Sequence, residues 1–418
     1  MSELPPTVTG TRRSLLVGAG GAAVSAPALV RGTSLGSAPS VVVLGAGVFG
    51  TWTAEQLRRR GARVILIDAA GPAHSRASSG GESRMTRAGY GKDAIYARMA
   101  VASLAEWKGL SAVAGLPIFH PTGVLFFFQG ENPYLTESLR VHRELGLPTQ
   151  AMSQAQMATR FPMIDFSGVA AGMYEPGFGA LMARRAVQTL AGRFQADGGS
   201  LRLFAADPPR STGDRLDGLT SSGARAEGDL FVAAAGPWLP KLFPDVVGPR
   251  IVATRQEIFT FMPPAGDHPY RPGAMPGWAD FNGGDVYYGF PDLEGKGVKF
   301  AHDAHGADID PDRNDRRFTD AALAEVVAFR DRRFPGLRAA PLATAEVCQY
   351  ENSANGDFLI DRHPRWKNVV LVGGGSGHGF KHGPEVGRIA AELALEGKHP
   401  DPRFSLATKG LKPNRAVI

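Results

Sequence analysis

Residues 40–72 read SVVVLGAGVFGTWTAEQLRRRGARVILIDAAGP, and the order of features in this stretch decides the fold. The apolar run from Val41 to Leu44 reads as a buried strand. Gly45, Gly47 and Gly50 then supply G-x-G-x-x-G, a helical stretch leads to the arginine-rich turn before Gly61, and a second apolar run, Val64 to Ile67, ends on Asp68. Gly45 permits the tight turn, Gly47 lets the backbone approach a pyrophosphate, and Gly50 lets helix and strand pack closely. The helix start, at Val48 and Phe49, offers free N–H groups and a positive dipole end to phosphates. Asp68 suits the hydroxyls of a ribose and would repel a 2′-phosphate. A lone glycine motif is also met as a turn in unrelated α/β units. Here strand, helix, second strand and terminal acid stand in register, which makes this a dinucleotide site, with NAD and FAD both open at this point. The earlier GAGGAA at 18–23 has neither a strand before it nor an acid at the right distance after it.

The chain of 418 residues is long enough for two domains or one large one. An apolar fraction of 43% with 21% charged residues excludes a disordered or fibrous chain. The net charge of +6 comes from scattered residues, with no basic run interleaved with aromatics, so no nucleic-acid surface is expected. At the N-terminus, TRRSLLVGAGGAAVSAPALVRG (11–32) sets Arg12 and Arg13 before a short Gly/Ala-rich apolar stretch and small residues at Ser25, Ala26 and Ala28. This resembles a bacterial twin-arginine export signal rather than a plain basic tail. The resemblance implies a periplasmic or secreted protein, the export machinery as a partner, and a cofactor loaded before export. The stretch is too short and glycine-rich for a membrane span, and no other segment approaches one. A single cysteine, Cys348, suits an oxidising compartment.

A second glycine loop points to flavin. NVVLVGGGSGHGFKHGPEVGRIAAELAL (368–395) reads as a strand at Val369 to Val372, a loop, and a helix from about Pro384. A nicotinamide enzyme has no evident use for such a unit at the far end of the chain. A flavin protein does, because a helix N-terminus favours the negative charge that reduction places at the pyrimidine edge of the ring. Between the two loops, GVLFFFQG, EIFTFMPP and DVYYGFPD read as strands, and DAALAEVVAFRDRRFPG reads as a helix closed by Pro335 and Gly336. GDLFVAAAGPWLPKLF reads as a strand returning to the parallel sheet. The expected fold class is α/β. A Rossmann-like FAD-binding domain is assembled from 38–118, 166–248 and 344–402. A mostly antiparallel sheet with helices, from 119–165 and 249–343, forms the substrate domain. The signal and linker take 1–37 and a tail takes 403–418.

GAGVFG…LID, GESRMTRAGYG, VYYGFPD…GVKF, EVCQYENSANGDFLIDRHP and GGSGHGFKHG together resemble the D-amino acid oxidase-like flavoproteins, and within them the monomeric sarcosine oxidase and N-methyl-L-tryptophan oxidase family. The resemblance runs from about residue 40 to about 400. It implies FAD, an amino-acid substrate, oxygen as co-substrate, and a monomer. It places Cys348 where the family joins a cysteine sulfur to the flavin 8-methyl carbon, with Tyr350 following. From composition alone a lone cysteine is a small buried hydrophobe. Arg87 and Lys381 fall where the family binds the substrate carboxylate, Lys299 where it activates oxygen, Tyr288 on the pocket lining, and Arg84 near the flavin. Gly375, Gly377, His378, Gly379, Phe380 and Lys381 form the flavin-edge loop, where His378 either contacts the cofactor or positions the loop. Each basic residue taken singly reads as ordinary surface or structural charge. No metal is implied.

The pattern also departs from the family. A His-His pair expected before the arginine motif is Ser79 and Gly80, and a histidine expected four residues past the lysine is Asp303, with His302 beside it. These changes alter the charge and volume of the pocket. The expected chemistry is removal of hydride from the C–H next to nitrogen, with hydrogen peroxide as by-product. Two rivals remain: a dehydrogenase that passes electrons to a quinone or periplasmic carrier, and an exported flavin-binding protein without catalysis.

Overall fold

Two large sheets both carry residues of interest. The computed structural model describes residues 38–411, apart from 267–268, 283–284 and 305. The arginine pair and the apolar stretch after it lie outside the described residues.

The first sheet has six strands, in the order Leu359–Arg362, Val369–Gly373, Leu230–Ala233, Ser40–Leu44, Arg63–Asp68 and Ser200–Leu203. All neighbours are parallel except the edge strand Leu359–Arg362. Strands buried on both faces read as continuous apolar runs, which is why VVVL and VVLV show no alternation. On one face the helices Val48–Arg59, Ala183–Ala196 and Gly383–Glu396 pack with Trp52, Leu57, Phe194 and Val386 in a shared core. Helix-to-helix approach is close: a Cβ at Gly383 would press on Val48 and Trp52, and one at Gly387 on the Trp52 backbone.

The second sheet has eight strands, in the order Leu342–Ser353, Ile251–Phe261, Val298–His302, Asp285–Phe290, Gly277–Asn282, Val124–Phe128, Ala171–Glu175 and Gln150–Ser153. Only the Gly277–Asn282 and Val124–Phe128 pair is parallel. The VLFFF run shows how one strand serves two cores. Leu125 and Phe127 face the cluster of Trp278, Phe300 and Phe329, while Val124, Phe126 and Phe128 face that of Ala97, Leu104 and Val141. The sheet is mixed only at that pair, matching the expected mostly antiparallel layer. Ala171–Glu175, from the 166–248 segment, and Leu342–Ser353, mostly from the 344–402 segment, also pair in this sheet, with Val124–Phe128 and Ile251–Phe261 respectively.

A buried ion pair braces the wall of this sheet. Arg333 donates through Nε to Asp280 Oδ2 at 2.7 Å and through Nη1 to the carbonyls of Asp165 and Ser167. Asp280 is 1% exposed, and burial pushes its carboxyl up in spite of Arg333. Removing one member of a buried pair leaves the other uncompensated, at about 3–5 kcal/mol. Asp280→Ala is therefore expected to lower the thermal unfolding midpoint sharply. Its strand neighbours Ala279 and Phe281 line a small pocket, so ligand capture should weaken with it. An unchanged midpoint would remove this brace from the account.

Candidate active site

The first glycine loop sits at the C-terminal ends of the parallel strands, the general ligand position of such sheets. Gly45 has φ +103°, and a Cβ there would press on the Ala234 carbonyl. A Cβ at Gly50 would overlap the Gly45 carbonyl oxygen, so Gly50 serves helix–strand packing and does not border the cavity. At Gly47 nothing lies closer than Ser79 Oγ at 3.5 Å, and the residue opens on a cavity of about 510 Å³. The protein itself has no steric need for glycine at 47, which is what a site for an approaching phosphate group requires. Compared as FAD-free proteins, Gly47→Ala should keep the wild-type unfolding midpoint and yet bind FAD poorly, whereas Gly50→Ala should lose stability itself. Equal losses of stability in both variants would refute the distinction.

Asp68 ends its strand facing this loop. Its Oδ2 accepts from Ala46 N–H at 2.8 Å and its Oδ1 from the N–H groups of Ala70 and Gly71. A carboxylate has about four acceptor positions, so three bonds that lock the turn leave capacity for one ribose hydroxyl. Val48 N–H donates to Ser79 Oγ at 3.0 Å, so the serine at one departing position caps the first helix. Phe49 lines the cavity and packs edge-on against Phe358.

The second glycine loop forms another wall of the same cavity through Gly375, Gly377, Gly379 and Phe380. A 3-10 turn, Phe380–His382, runs directly into the helix Gly383–Glu396, and Gly379 already has helical backbone. The positive end of this helical segment therefore stands at the cavity, as the sequence pattern predicts. Ser376 N–H donates to the Glu351 carbonyl at 2.9 Å, tying the loop to the strand that carries Cys348. Glu351 is buried, its Oε2 has no partner among the described residues, and burial pushes its carboxyl up to about 7. A buried orphan on the cavity wall is a group awaiting a ligand. Together the glycine cradle, the acidic strand end, the helix end and this orphan fit FAD.

A smaller pocket of about 60 Å³ adjoins the first; Arg84, Tyr350, Gly377 and Phe380 border both. Arg87 and Lys381 lie on its wall, both buried. Arg87 donates to the Gly89 carbonyl, bonds the Tyr134 hydroxyl at 3.0 Å, and lies 4.2 Å over the Tyr90 ring. Lys381 Nζ donates to the Tyr90 hydroxyl at 2.8 Å and the His378 carbonyl at 2.9 Å. Burial and then Arg87 push Lys381 well below its usual range. Arg87 raises the cost of the Lys381 charge, and the nearby carboxyls of Asp303 and Glu175 offset only part of that cost. The His378 ring faces Tyr90 and the Gly356 carbonyl, and it stacks on Phe358, so it anchors the loop.

Tyr288 lines the small pocket, and burial pushes its hydroxyl up to about 12. Lys299 and Cys348 lie just behind the walls. Lys299 Nζ donates to the Ser83 carbonyl at 3.1 Å and stands 5.4 Å from the Tyr288 ring centre. Cys348 Sγ is 3.5 Å from Arg84 Nη2, and Arg84 also donates to the carbonyls of Ser83 and Ser78. Glu351, Tyr90 and Asp303 were not assigned roles from sequence. The only signal for Glu351 is its place beside Tyr350 in the cysteine motif; Tyr90 ends the arginine motif, and Asp303 shows only as a departure from the family pattern.

The chain matches, over residues 40–393, the family described as DAO, FAD dependent oxidoreductase. It is 32% identical over 380 residues to monomeric sarcosine oxidase of Streptomyces avermitilis, covering 87% of this chain and 97% of that protein. It is 28% identical over 359 residues to N-methyl-L-tryptophan oxidase of Salmonella arizonae, covering 85% and 94%. Among solved structures it resembles L-proline dehydrogenase from P. horikoshii, with a TM-score of 0.77 at 20% identity over 89% of this chain and 98% of that one. At that identity the likeness is one of fold.

Proposed function

The chain belongs to the family of FAD dependent oxidoreductases, and from that premise we propose that it oxidises a small amino acid at the C–H bond next to nitrogen. The observation that carries this reading is the pair of buried cations, Arg87 and Lys381, on a small pocket that shares its wall with the cofactor cavity. When bound, FAD would supply the hydride acceptor, with oxygen as the final electron acceptor and hydrogen peroxide as its product.

The protein's own residues do the rest. Arg87 presents a planar guanidinium fork to the substrate carboxylate. Burial and then Arg87 disfavour the Lys381 ammonium, so an anion arriving beside it is held by a charge that otherwise lacks solvation. Phe126, Phe281 and Tyr288 exclude water from the reacting end. A pocket of about 60 Å³ holds a few waters' worth of ligand, which favours glycine- or sarcosine-sized substrates over an indole side chain. Lys299 is the cation assigned to oxygen, which favours an oxidase over a quinone-linked dehydrogenase. Cys348 is the proposed covalent tether, supported by its cationic neighbour Arg84 and by its spacing from Tyr350 on the cavity wall. Export rests on Arg12, Arg13 and the apolar run after them.

The test is anaerobic. Glycine, sarcosine, L-proline and N-methyl-L-tryptophan are each mixed with the yellow holoenzyme. At least one of the small amino acids should bleach the flavin, and folded, yellow protein that none of them bleaches would defeat the reading. Arg87→Met should raise KM by roughly 30-fold or more, since it leaves the substrate carboxylate without its charged partner.

A further inference from the structure

The small pocket holds one acidic side chain on its wall, and the reaction proposed above gives it no task. Asp303 follows the strand Val298–His302 and lines the pocket with Arg87, Lys381, Tyr288 and Tyr350. Its backbone N–H donates to the Val286 carbonyl at 2.7 Å, and the Tyr350 hydroxyl donates to Oδ1 at 3.1 Å. The carboxyl is thus positioned from two strands. The two cations are anchored elsewhere, Arg87 on Gly89 and Tyr134, Lys381 on Tyr90 and His378.

We propose that Asp303 receives the ammonium group of the substrate, so that the pocket takes amino acids as zwitterions, with the carboxylate on Arg87 and Lys381; one ammonium proton passes to the Asp303 carboxylate before hydride leaves, which frees the nitrogen lone pair for the oxidation. The proposal rests on the carboxylate clamp described above and names the charge state that the clamp selects. An amine-free carboxylate entering the pocket would stand beside Asp303 as a second anion in a poorly solvated space. A zwitterion brings its own counter-charge.

Burial pushes Asp303 up to about 6, against the pull of Tyr350, Arg87, Lys381 and His302. Tyr288 and Tyr350, which also face it, are both pushed up and stay neutral. Asp303 is therefore ionised at neutral pH, yet a second anion is enough to protonate it. An amine-free carboxylate must bind together with a proton, and a zwitterion need not. Lys381, and Lys299 behind the wall, also face an arriving carboxylate, but they meet it with both kinds of ligand, so a comparison between the two isolates Asp303.

The probes are 2-aminoisobutyrate and pivalate, which differ only by an ammonium in place of a methyl. Neither carries a C–H next to nitrogen, so neither can be oxidised, and binding is read from the visible spectrum of the flavin in the holoenzyme. In the wild type the ratio of the pivalate to the 2-aminoisobutyrate dissociation constant should rise about tenfold per pH unit above the Asp303 value of about 6. In Asp303→Asn the ratio should lose its pH dependence and shift towards pivalate by about tenfold or more. A wild-type ratio that does not change with pH overturns the ammonium role without any variant. A ratio unchanged in Asp303→Asn overturns it as well. If neither probe binds the wild type, or if pivalate binds Arg87→Met as well as it binds the wild type, the carboxylate clamp itself fails, and the zwitterion proposal falls with it.

Discussion

Cys348→Ser should turn a flavin that stays with acid-precipitated protein into one that leaves with the supernatant. Cys348 is the only cysteine, so no other thiol can substitute for it. It is 7% exposed and packs against Ile258 and Ala301. Alternate residues of a strand share a face, which puts Cys348 and Tyr350 on the same side of Leu342–Ser353, and Tyr350 borders both cavities. Arg84 connects the two environments, since its guanidinium borders both cavities and reaches the sulfur at 3.5 Å. Arg84 donates towards the sulfur and fixes its place beside the cavity wall. Serine keeps the volume and the backbone but is a far poorer nucleophile, so the variant should fold and bind FAD reversibly. The expected change is from nearly all colour in the pellet to nearly none. Colour that leaves wild-type protein in the same assay would reduce Cys348 to a packed thiol beside Arg84.

What was legible in the sequence follows from how the information is stored. The two glycine loops are local: a few residues of spacing encode backbone shape, so Gly45, Gly47, Gly50 and the loop at Gly375–Gly379 could be placed without a structure. The fully apolar runs of the parallel strands are local in the same sense. The order of the eight-stranded sheet is not, because the parallel pairing of Gly277–Asn282 with Val124–Phe128 joins segments about 150 residues apart with nothing in either to announce it. The chemistry of Glu351 and Asp303 is also non-local. Glu351 becomes a buried orphan only because the Ser376 turn closes over its strand, and Asp303 becomes a pocket residue only because Tyr350 arrives from another strand. Ser79 carries the same lesson. As a departure from the family pattern it signals a changed pocket, whereas in the fold its hydroxyl caps the first helix through Val48.

Lys299→Met should slow the reaction of the reduced enzyme with oxygen by about 100- to 1000-fold, the usual cost of losing one fixed group that stabilises developing negative charge. Reduction by the amino acid should change little, because Arg87 and Lys381 hold the substrate and Lys299 lies behind the pocket wall, between the Tyr288 and Phe290 rings. Methionine preserves the unbranched stem in that aromatic slot and removes only the charge and the bond to the Ser83 carbonyl. The pH dependence has a definite sign. Burial, and then Arg84, push Lys299 down to about 7. Its positive charge is present below that value and is lost as pH rises through it, so oxygen reactivity of the wild type should fall on the alkaline side. Any anion formed beside Lys299 moves that fall to higher pH. The methionine variant has nothing to titrate there, and its slow rate should be flat over the same range. Stopped-flow mixing of reduced enzyme with oxygen separates the cases. A variant that reoxidises at the wild-type rate would transfer the oxygen role to Arg84, the other cation that borders both cavities. A variant equally slow in both half-reactions would mean instead that Lys299 shapes the pocket through Tyr288, and that its charge has no separate part in the chemistry.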